Sequence, residues 1–265
     1  KSVAYFLEKS KERGYFKDEF IEQVCMMIMD TSKRTEPIDK LSKIFWTADN
    51  SILGFPVNKL IEIENILFEE KPHAYVECHI EQGPVLLTEN YQLGVVTGVQ
   101  GISWWRIKIG GAAAHAGCTP MSSRRDSGLA LSLMRTEMHK LTERIPGLLC
   151  NFGLLSTTPG LTNVIPDTAS GTIDLRHPDE AQLQEAERQM REIIAESLDA
   201  ASCELIELVQ TARTAPVLFH EEIVNAVESE IRRNGVPTRR IVSGAGHDAQ
   251  ELASIVPSAI PSITA

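Results

Sequence analysis

Apolar and polar residues follow one another along the chain with spacings that change from region to region. In residues 1–43 apolar side chains recur every three or four positions, which predicts about two amphipathic helices broken near Gly14. A short strand is predicted at 43–47 and another helix at 58–68. The β-prone run 74–80 follows and ends in a polar, glycine-containing turn.

Between residues 93 and 111 the pattern changes to strand-like runs separated by glycines. Further strands are predicted at 149–156, 169–175 and 204–210, and helices at 126–144 and 178–199. The apolar face of the first of these helices is predicted to carry Leu129, Leu133, Met134, Met138 and Leu141. The order β, β, α, β, β, α, β over 93–211 predicts an antiparallel sheet with two helices on one face, which is a compact α+β domain.

After Pro216 the pattern predicts a return to a helix at 221–234 and a strand at 239–243. A glycine-rich segment, SGAGHDAQELA, then opens another helix. Helices and short strands thus flank the α+β region on both sides. We therefore predict an outer α/β domain formed by residues 1–92 and 213–265, interrupted by an inserted domain at 93–212.

Composition and charge narrow the classes of function. The chain has 265 residues, of which 43% are hydrophobic, so one large domain or two smaller ones can bury a core. Its net charge of -10 argues against nucleic acid or an anionic membrane as the main partner and favours a small molecule or a protein. Five cysteines without a CxxC pair indicate neither a disulfide framework nor a zinc ribbon. This cysteine pattern fits a reducing cytosol best, so we expect a cytoplasmic protein. The sequence shows neither an apolar run long enough to cross a bilayer nor a signal peptide.

Three histidines occupy the same kind of position, where a strand-like run breaks into a loop of glycine or other small residues. They are His79 in CHIEQG, His115 in AAHAGCTP and His247 in GAGHDAQ. Loops at strand ends hold ligands and metals in α/β enzymes, and histidine serves as metal ligand, acid or base. Together with nearby carboxylates the three are candidates for a metal or acid/base site. A purely structural role for each histidine is the competing interpretation.

Other catalytic motifs are missing from the sequence. It contains neither the HExxH zinc motif nor the GxSxG elbow of serine hydrolases. Gly244 and Gly246 precede a predicted helix, but the Lys-Ser/Thr pair of a phosphate-binding loop does not follow them. The four remaining histidines are expected to be solvated: His73, His139, His177 and His220.

Five segments taken together resemble the successive motifs of one enzyme family. They are HIEQGPVL, GVVTGVQG, AAHAGCTPMSSRRD, LTNVIPDTASGTIDLR and GAGHDAQELA, within residues 74–253. The series resembles the N-carbamoyl-L-amino acid hydrolase, allantoate amidohydrolase and β-ureidopropionase family, which belongs to the aminoacylase and carboxypeptidase superfamily of dinuclear metal hydrolases. The resemblance implies metal-dependent hydrolysis of a linear amide or ureido C–N bond. The substrate stays open among allantoate, ureidoglycolate, β-ureidopropionate and N-carbamoyl amino acids, which all offer a carboxylate and a ureido group.

The resemblance also implies a fold, namely a partial α/β metallohydrolase-like outer domain with an inserted α+β ferredoxin-like lid through which a homodimer forms. The domains predicted above agree with it. The intact family binds two divalent ions, zinc or manganese, and the histidine of HIEQG is one of their ligands, which here is His79. The glutamine of the same motif, Gln82, is expected close to the substrate.

Four further site residues follow from the resemblance. His115 is expected to be catalytic, because it stabilises the oxyanion formed when hydroxide attacks the carbamoyl carbon. Asn163 and Arg176 are expected to bind substrate, with Arg176 holding its carboxylate in a bidentate pair. These three are expected to point from the lid toward the partner subunit's active site, and His247 to support the substrate site. Without the motif, Arg176 would be interpreted as a surface ion pair with a neighbour such as Asp174.

The sequence departs from the family pattern upstream of His79 and after His247. The His-x-Asp ligand pair, the Glu-Glu pair that includes the general base, and the closing histidine motif are not found. Because catalytic zinc sites need at least three protein ligands, we expect the two-metal site to be incomplete or absent and this chain to be inactive. The alternatives are a non-catalytic dimeric binding or assembly protein derived from the family, and a first 70 residues unrelated to the family's metal domain.

Overall fold

The computed structural model describes residues 74–264. The helices predicted within 1–43 and at 58–68, and the strand predicted at 43–47, lie outside the described residues. None of the helices between 74 and 264 combines the length and the apolar character that crossing a bilayer requires.

The chain divides into two units. The second unit comprises Val76–Ala253 with Pro257–Ala265. It contains all the strands and helices described below apart from Tyr75, which is the first residue of the first strand. Of the first unit, Lys1–Tyr75 with Ser254–Val256, the structure describes only residues 74–75 and 254–256.

The described residues form strands and helices whose bounds are as follows. The strands are β1 (Tyr75–Val76), β2 (His79–Ile80), β3 (Leu93–Val99), β4 (Gly101–Gly110), β5 (Ala114–His115), β6 (Leu149–Thr158), β7 (Val164–Ile165), β8 (Thr168–His177), β9 (Glu204–Thr214), β10 (Val217–Leu218), β11 (Thr238–Ser243) and β12 (Ser258–Ile263). The helices are α1 (Val85–Thr88), α2 (Ser127–Arg144), α3 (Glu180–Ala200), α4 (Glu221–Arg233) and α5 (Asp248–Leu252), with a 3₁₀ turn at Met121–Ser123.

A four-stranded antiparallel sheet in the order β6-β8-β4-β9 is covered by α2 and α3, and we call this part the helix-covered sheet. In β4 the side chains of Trp105, Ile107 and Ile109 are buried, whereas the intervening Arg106 and Lys108 are exposed, as expected for a strand with one buried face. The chain order β4-α2-β6-β8-α3-β9, with this strand order, is the ferredoxin-like arrangement. The predicted antiparallel sheet and its two helices are confirmed.

Both helices begin at an aspartate that caps the free backbone N–H groups of the first turn. Asp126 accepts a hydrogen bond from Leu129 N at 3.0 Å, and Asp179 accepts one from Gln182 N at 2.9 Å. The predicted apolar face of α2 was wrong in one detail, because Leu129 is exposed. The side chains that α2 buries are Ser127, Ala130, Leu131, Met134, Met138 and Leu141.

A six-stranded mixed sheet, here called the cavity sheet, is built around β3. β12 pairs antiparallel with residues 93–96 of β3, β10 pairs antiparallel with 98–99, and β11 runs parallel to 93–99. β2 pairs in parallel with β12, and β1 belongs to the same sheet. The prediction that the strand at 93–99 belongs to the antiparallel sheet of the α+β domain is therefore wrong. The proposed domain boundaries at 92/93 and 212/213 stay a prediction.

The expectation that His177 is solvated is wrong. Its side chain is 4% exposed, and its Nδ1 accepts a hydrogen bond from Asp179 N at 2.9 Å. The ring therefore carries its proton on Nε2, which donates to Pro146 O at 3.0 Å. His177 thus ties the end of β8 to the segment between α2 and β6. His139 and His220 are exposed as expected, whereas His73 lies outside the described residues.

Candidate metal and substrate site

The run 74–80 was predicted as one strand, but the structure divides it into β1 and β2, with Glu77 and Cys78 between them. β2 pairs with β12 in parallel, so that His79 lies opposite Ser262. The chain then turns at Glu81, whose carboxylate accepts hydrogen bonds from Val85 N at 2.9 Å and Leu86 N at 2.8 Å. The glutamate of HIEQG therefore fixes the start of α1.

His247 lies at the N-cap position of α5, directly after the glycine-rich turn that follows β11. Its Nε2 is 2.6 Å from Ser243 Oγ. Its Nδ1 is buried and has no hydrogen-bond partner among the described residues. Burial is the main cause that lowers the pKa of His247, and the charge of His79 lowers it further. His247 is therefore neutral at neutral pH.

Glu77 lies beside both histidines. One carboxylate oxygen, Oε1, contacts His79 Nε2, and the other, Oε2, accepts a hydrogen bond from Ala249 N at 2.9 Å. Burial works to raise the pKa of Glu77, but the hydrogen bond and charge of His79, together with the bond from Ala249 N and the charge of His247, hold this pKa below its ordinary value. The same hydrogen bond raises the pKa of His79.

In the part of the chain from 74 to 264, one group of three side chains meets the requirement for holding a metal ion. Glu77, His79 and His247 each offer one ligand atom, and these atoms all lie within 4.8 Å of one another. The two imidazole rings have their centroids 4.5 Å apart and are tilted by 56°. Two imidazoles and one carboxylate suit a single zinc-type divalent ion.

A cavity of about 800 Å³ opens beside this group. Four of the six predicted site residues line it, namely His79, Gln82, Arg176 and His247. Further polar side chains of its wall are Gln100, Asn151, Asp174 and Arg240. Gln100 was not predicted, and its side-chain oxygen is buried without a hydrogen-bond partner among the described residues. A volume of this size is typical of small-molecule sites, which range from roughly 300 to 1,000 Å³.

Arg176 is held at the end of β8 by two neighbours. Its Nε and Nη2 donate to the Asp174 carboxylate at 3.0 and 2.8 Å, and its Nη1 donates to Gly244 O at 2.6 Å. The guanidinium also lies 5.9 Å from the centre of the Trp104 ring. The ion pair with Asp174, which was the alternative interpretation of this residue, is therefore present, and both partners face the cavity.

His115 and Asn163 lie together but outside the cavity wall. β5 and β7 form a two-stranded ribbon in which His115 lies opposite Val164. Ala116 N donates to Asn163 O at 2.9 Å, which closes the end of the ribbon. Both predicted site residues are exposed. The structure thus brings these two together and keeps them apart from the other four.

Residues 34–263 match the sequence model of the peptidase family M20/M25/M40. The chain belongs to this family. The recognition of the amidohydrolase motifs is thereby confirmed, because the curated relatives include amidohydrolases of this kind. One is the N-carbamoyl-L-amino-acid amidohydrolase of Rhizobium meliloti, 33% identical over 225 residues, which cover 83% of this chain and 49% of the relative. Another is the allantoate amidohydrolase of Escherichia coli, 36% identical over 198 residues, which cover 72% and 47%.

A solved structure similar to this chain supports the fold. The crystal structure of a hydantoinase/carbamoylase family amidase from Burkholderia ambifaria is 37% identical, has a TM-score of 0.68, and covers 72% of this chain and 47% of its own. The chain spans about half the length of the curated relatives it matches. The M20 fold with mixed α/β sheets is therefore confirmed.

M20 enzymes depend on metal, and the group at Glu77, His79 and His247 fits one ion by the chemistry of its donors. His79 was predicted as a ligand, whereas Glu77 was missed. A signal was present in the spacing, because residues two apart on an extended segment point to the same side. Glu77 and His79 have this spacing. His247 was predicted as a substrate-supporting residue, and the structure places it in the group of three side chains that could hold a metal ion.

Proposed function

We propose that the cavity is the substrate pocket of a metal-dependent amidohydrolase that cleaves a linear amide or ureido C–N bond. The observation that carries the proposal is that one cavity is lined by two members of the metal-binding group, His79 and His247, and by a guanidinium, Arg176. A metal polarises the carbonyl to be attacked and lowers the pKa of water. The arginine holds the carboxylate that distinguishes the substrate class.

The polar wall of the cavity suits a ureido substrate. A ureido group presents both N–H donors and a carbonyl acceptor, which side-chain amides can satisfy in either direction. Gln82, Gln100 and Asn151 supply three such amides. Gln100 is suited to this role, because the partner its buried oxygen lacks can be a substrate N–H. The substrate is therefore an N-carbamoyl amino acid or an allantoate-like compound, as the names of the relatives suggest.

Arg176 has to exchange partners when substrate binds. Its bidentate pair with Asp174 occupies the edge of the guanidinium that a substrate carboxylate would use. Substrate binding in this proposal replaces the aspartate on that edge, while the bond to Gly244 O keeps the guanidinium in place. The face of the nearby Trp104 ring attracts the Arg176 guanidinium both with and without bound substrate.

The helix-covered sheet acts in this proposal as the inserted lid and forms the contact of a homodimer. His115 and Asn163, which lie on the β5–β7 ribbon away from the cavity wall, then act in the partner subunit's pocket. There His115 stabilises the oxyanion and Asn163 binds the polar groups of the substrate. A cytoplasmic location accords with the free thiols of Cys78, Cys118, Cys150 and Cys203.

We also propose that this chain alone binds substrate without turning it over. The described residues fit one metal ion, whereas the family chemistry uses two, zinc or manganese. Such a chain would be a non-catalytic binding protein derived from the family.

Calorimetric titration of N-carbamoyl-L-alanine into the protein, with Zn²⁺ or Mn²⁺ present, tests the proposal. We expect binding by the wild type and at least tenfold weaker binding by Arg176→Gln, because the substrate carboxylate loses its ionic hydrogen bonds. Arg106→Gln is the matched control, since Arg106 lies on an exposed position of the same sheet and pairs with Glu207 away from the cavity. Equal binding by both variants, or none by the wild type, would overturn the proposal. Release of ammonia from N-carbamoyl-L-alanine would refute the proposed inactivity of this chain, and it would confirm hydrolysis of a ureido C–N bond as the reaction.

A further inference from the structure

The wall of the cavity carries apolar side chains as well as the polar ones described above. Among the described residues that line it, four large hydrophobic side chains are exposed, namely Ile80, Val85, Leu149 and Val242. Apolar surface that meets water inside a concave site can be covered by a ligand, and covering it favours binding. The position of these side chains relative to Arg176 therefore bears on which ligand fits.

Leu149 is the neighbour of Arg176 on the open face of the helix-covered sheet. The two residues lie opposite each other where β6 pairs with β8. Directly opposite residues of an antiparallel pair project to the same face, with Cβ atoms about 4.5 to 5.5 Å apart. The adjacent Cys150 and Leu175 pack into the core beneath the two helices, so Leu149 and Arg176 point away from it. The Leu149 side chain, at 53% exposure, is thus apolar surface beside the guanidinium.

Val242 adds apolar surface from the cavity sheet. It lies in β11, two residues before Gly244, whose carbonyl oxygen accepts the hydrogen bond from Arg176 Nη1. It lines the same cavity and is also exposed. Leu149 and Val242 therefore bring apolar side chains from both sheets to the surroundings of one guanidinium.

The side-chain amide on this face lies one row further along the sheet. Asn151 is opposite Asp174, whereas Leu149 is opposite Arg176. A polar ligand group placed over Leu149 and Val242 would lose water without gaining a hydrogen bond from either side chain, which is unfavourable. The surroundings of Arg176 therefore favour an apolar group next to the carboxylate that it holds.

The four substrates that the motifs leave open differ in the group on the carbon next to the carboxylate. N-carbamoyl amino acids carry a side chain there, allantoate a second ureido group, ureidoglycolate a hydroxyl group and β-ureidopropionate only hydrogens. Because this carbon is bonded directly to the carboxylate, the group that it carries lies against the residues that flank Arg176. The chemistry of those residues therefore distinguishes among the four substrates.

We propose that Leu149 and Val242 form an apolar subsite for this group, and that Leu149 selects N-carbamoyl amino acids with an apolar side chain over allantoate and ureidoglycolate. The inference rests on the proposed function, because it takes Arg176 as the residue that holds the substrate carboxylate. It deepens that function by naming the substrate class and a residue that determines specificity.

Calorimetric titration of a ligand series into the full chain, with Zn²⁺ present, tests the subsite. The ligands are N-carbamoylglycine, N-carbamoyl-L-alanine, N-carbamoyl-L-leucine and allantoate. The wild type should bind the leucine compound at least tenfold more tightly than the glycine compound, since each buried methylene strengthens binding roughly fourfold. Leu149→Ala should weaken binding of the leucine compound about tenfold and leave the glycine compound unchanged, which also shows that the variant is folded.

Leu154→Ala is the matched control, because Leu154 is a similarly exposed leucine of β6, at 47%, that does not line the cavity. It should bind all four ligands as the wild type does. Three results would each refute the subsite and leave the proposed pocket standing: equal affinity of the wild type for the leucine and glycine compounds, tighter binding of allantoate, or equal losses in the two variants. Binding of none of the four ligands would refute the proposed function and the subsite with it.

Discussion

The helix-covered sheet and the cavity sheet are built on different principles. A continuous apolar core whose members all lie between Trp105 and Ala201 fills the space between α2, α3 and the first sheet. The cavity sheet has shorter strands, several of two residues, and arginine–carboxylate pairs link its elements. The packed core therefore lies in the helix-covered sheet, where the apolar spacing of the sequence is regular. The candidate site lies where segments distant in the sequence meet.

The largest effect that we expect comes from the core of the helix-covered sheet. Leu141→Ala removes a side chain that is 0% exposed, and should lower the free energy of unfolding by about 3 kcal/mol, through lost burial and the cavity left behind. Leu129→Ala, on the same helix but 43% exposed, should cost less than about 1 kcal/mol. Urea unfolding followed by circular dichroism measures both. Similar losses in the two variants would contradict the division of α2 into a buried and an exposed face.

In the cavity sheet we expect a loss of stability where the backbones of two paired strands lie too close together to leave room for a side chain. A Cβ at Gly98 would lie 2.4 Å from Val217 O, where β3 and β10 pair. Gly98→Ala forces these strands apart and should cost about 2 kcal/mol of unfolding free energy. Gly244→Ala is the control, because a Cβ there meets nothing within 4 Å. If the two variants are equally stable in urea, the cavity sheet tolerates more movement than its pairing implies.

The two regions also differ in how far the sequence predicted them. The alternation in β4 and the helical spacing of α2 and α3 are local patterns, so the helix-covered sheet followed from them. The same local rules misplaced β3, because two consecutive strand-like runs were assigned to one sheet, while β3 pairs with β11 and β12 from the end of the chain. The pairing of strands that lie more than a hundred residues apart in the sequence cannot be predicted from local periodicity.

His79, Gln82, Arg176 and His247 were named as site residues from strand-end position or from the resemblance, and all four line one cavity. The roles assigned to them stay predictions. Glu77 and Gln100 were missed because a single carboxylate or amide has no distinguishing pattern until distant segments surround it. The roles of His115 and Asn163 stay a prediction, since they depend on a partner subunit.

The smallest effect that we expect concerns the charged link between α4 and β11. Glu228 is 9% exposed and accepts hydrogen bonds from Arg240 at 2.7 and 2.9 Å and from Arg232 at 2.6 Å. The bonds from Arg240 are the main cause that lowers the pKa of Glu228 below its ordinary value of 4.5. Glu228→Gln keeps the shape but removes the charge, and should cost about 1 kcal/mol of unfolding free energy at pH 7.

The sign of the pH dependence separates this link from a packing effect. Because the pKa is lower in the folded state, the carboxylate stabilises the fold fully above about pH 4.5, and the benefit is lost as pH falls through the folded pKa. The wild type and Glu228→Gln should therefore differ in urea at pH 7 and converge below pH 4.5. Glu230→Gln, which removes an exposed carboxylate paired with Arg233 on the same helix, is the control and should cost less than about 0.5 kcal/mol at pH 7. A difference that stays constant with pH would mean that Glu228 acts through packing, and the cavity sheet would then resemble the helix-covered sheet more closely than its charged links indicate.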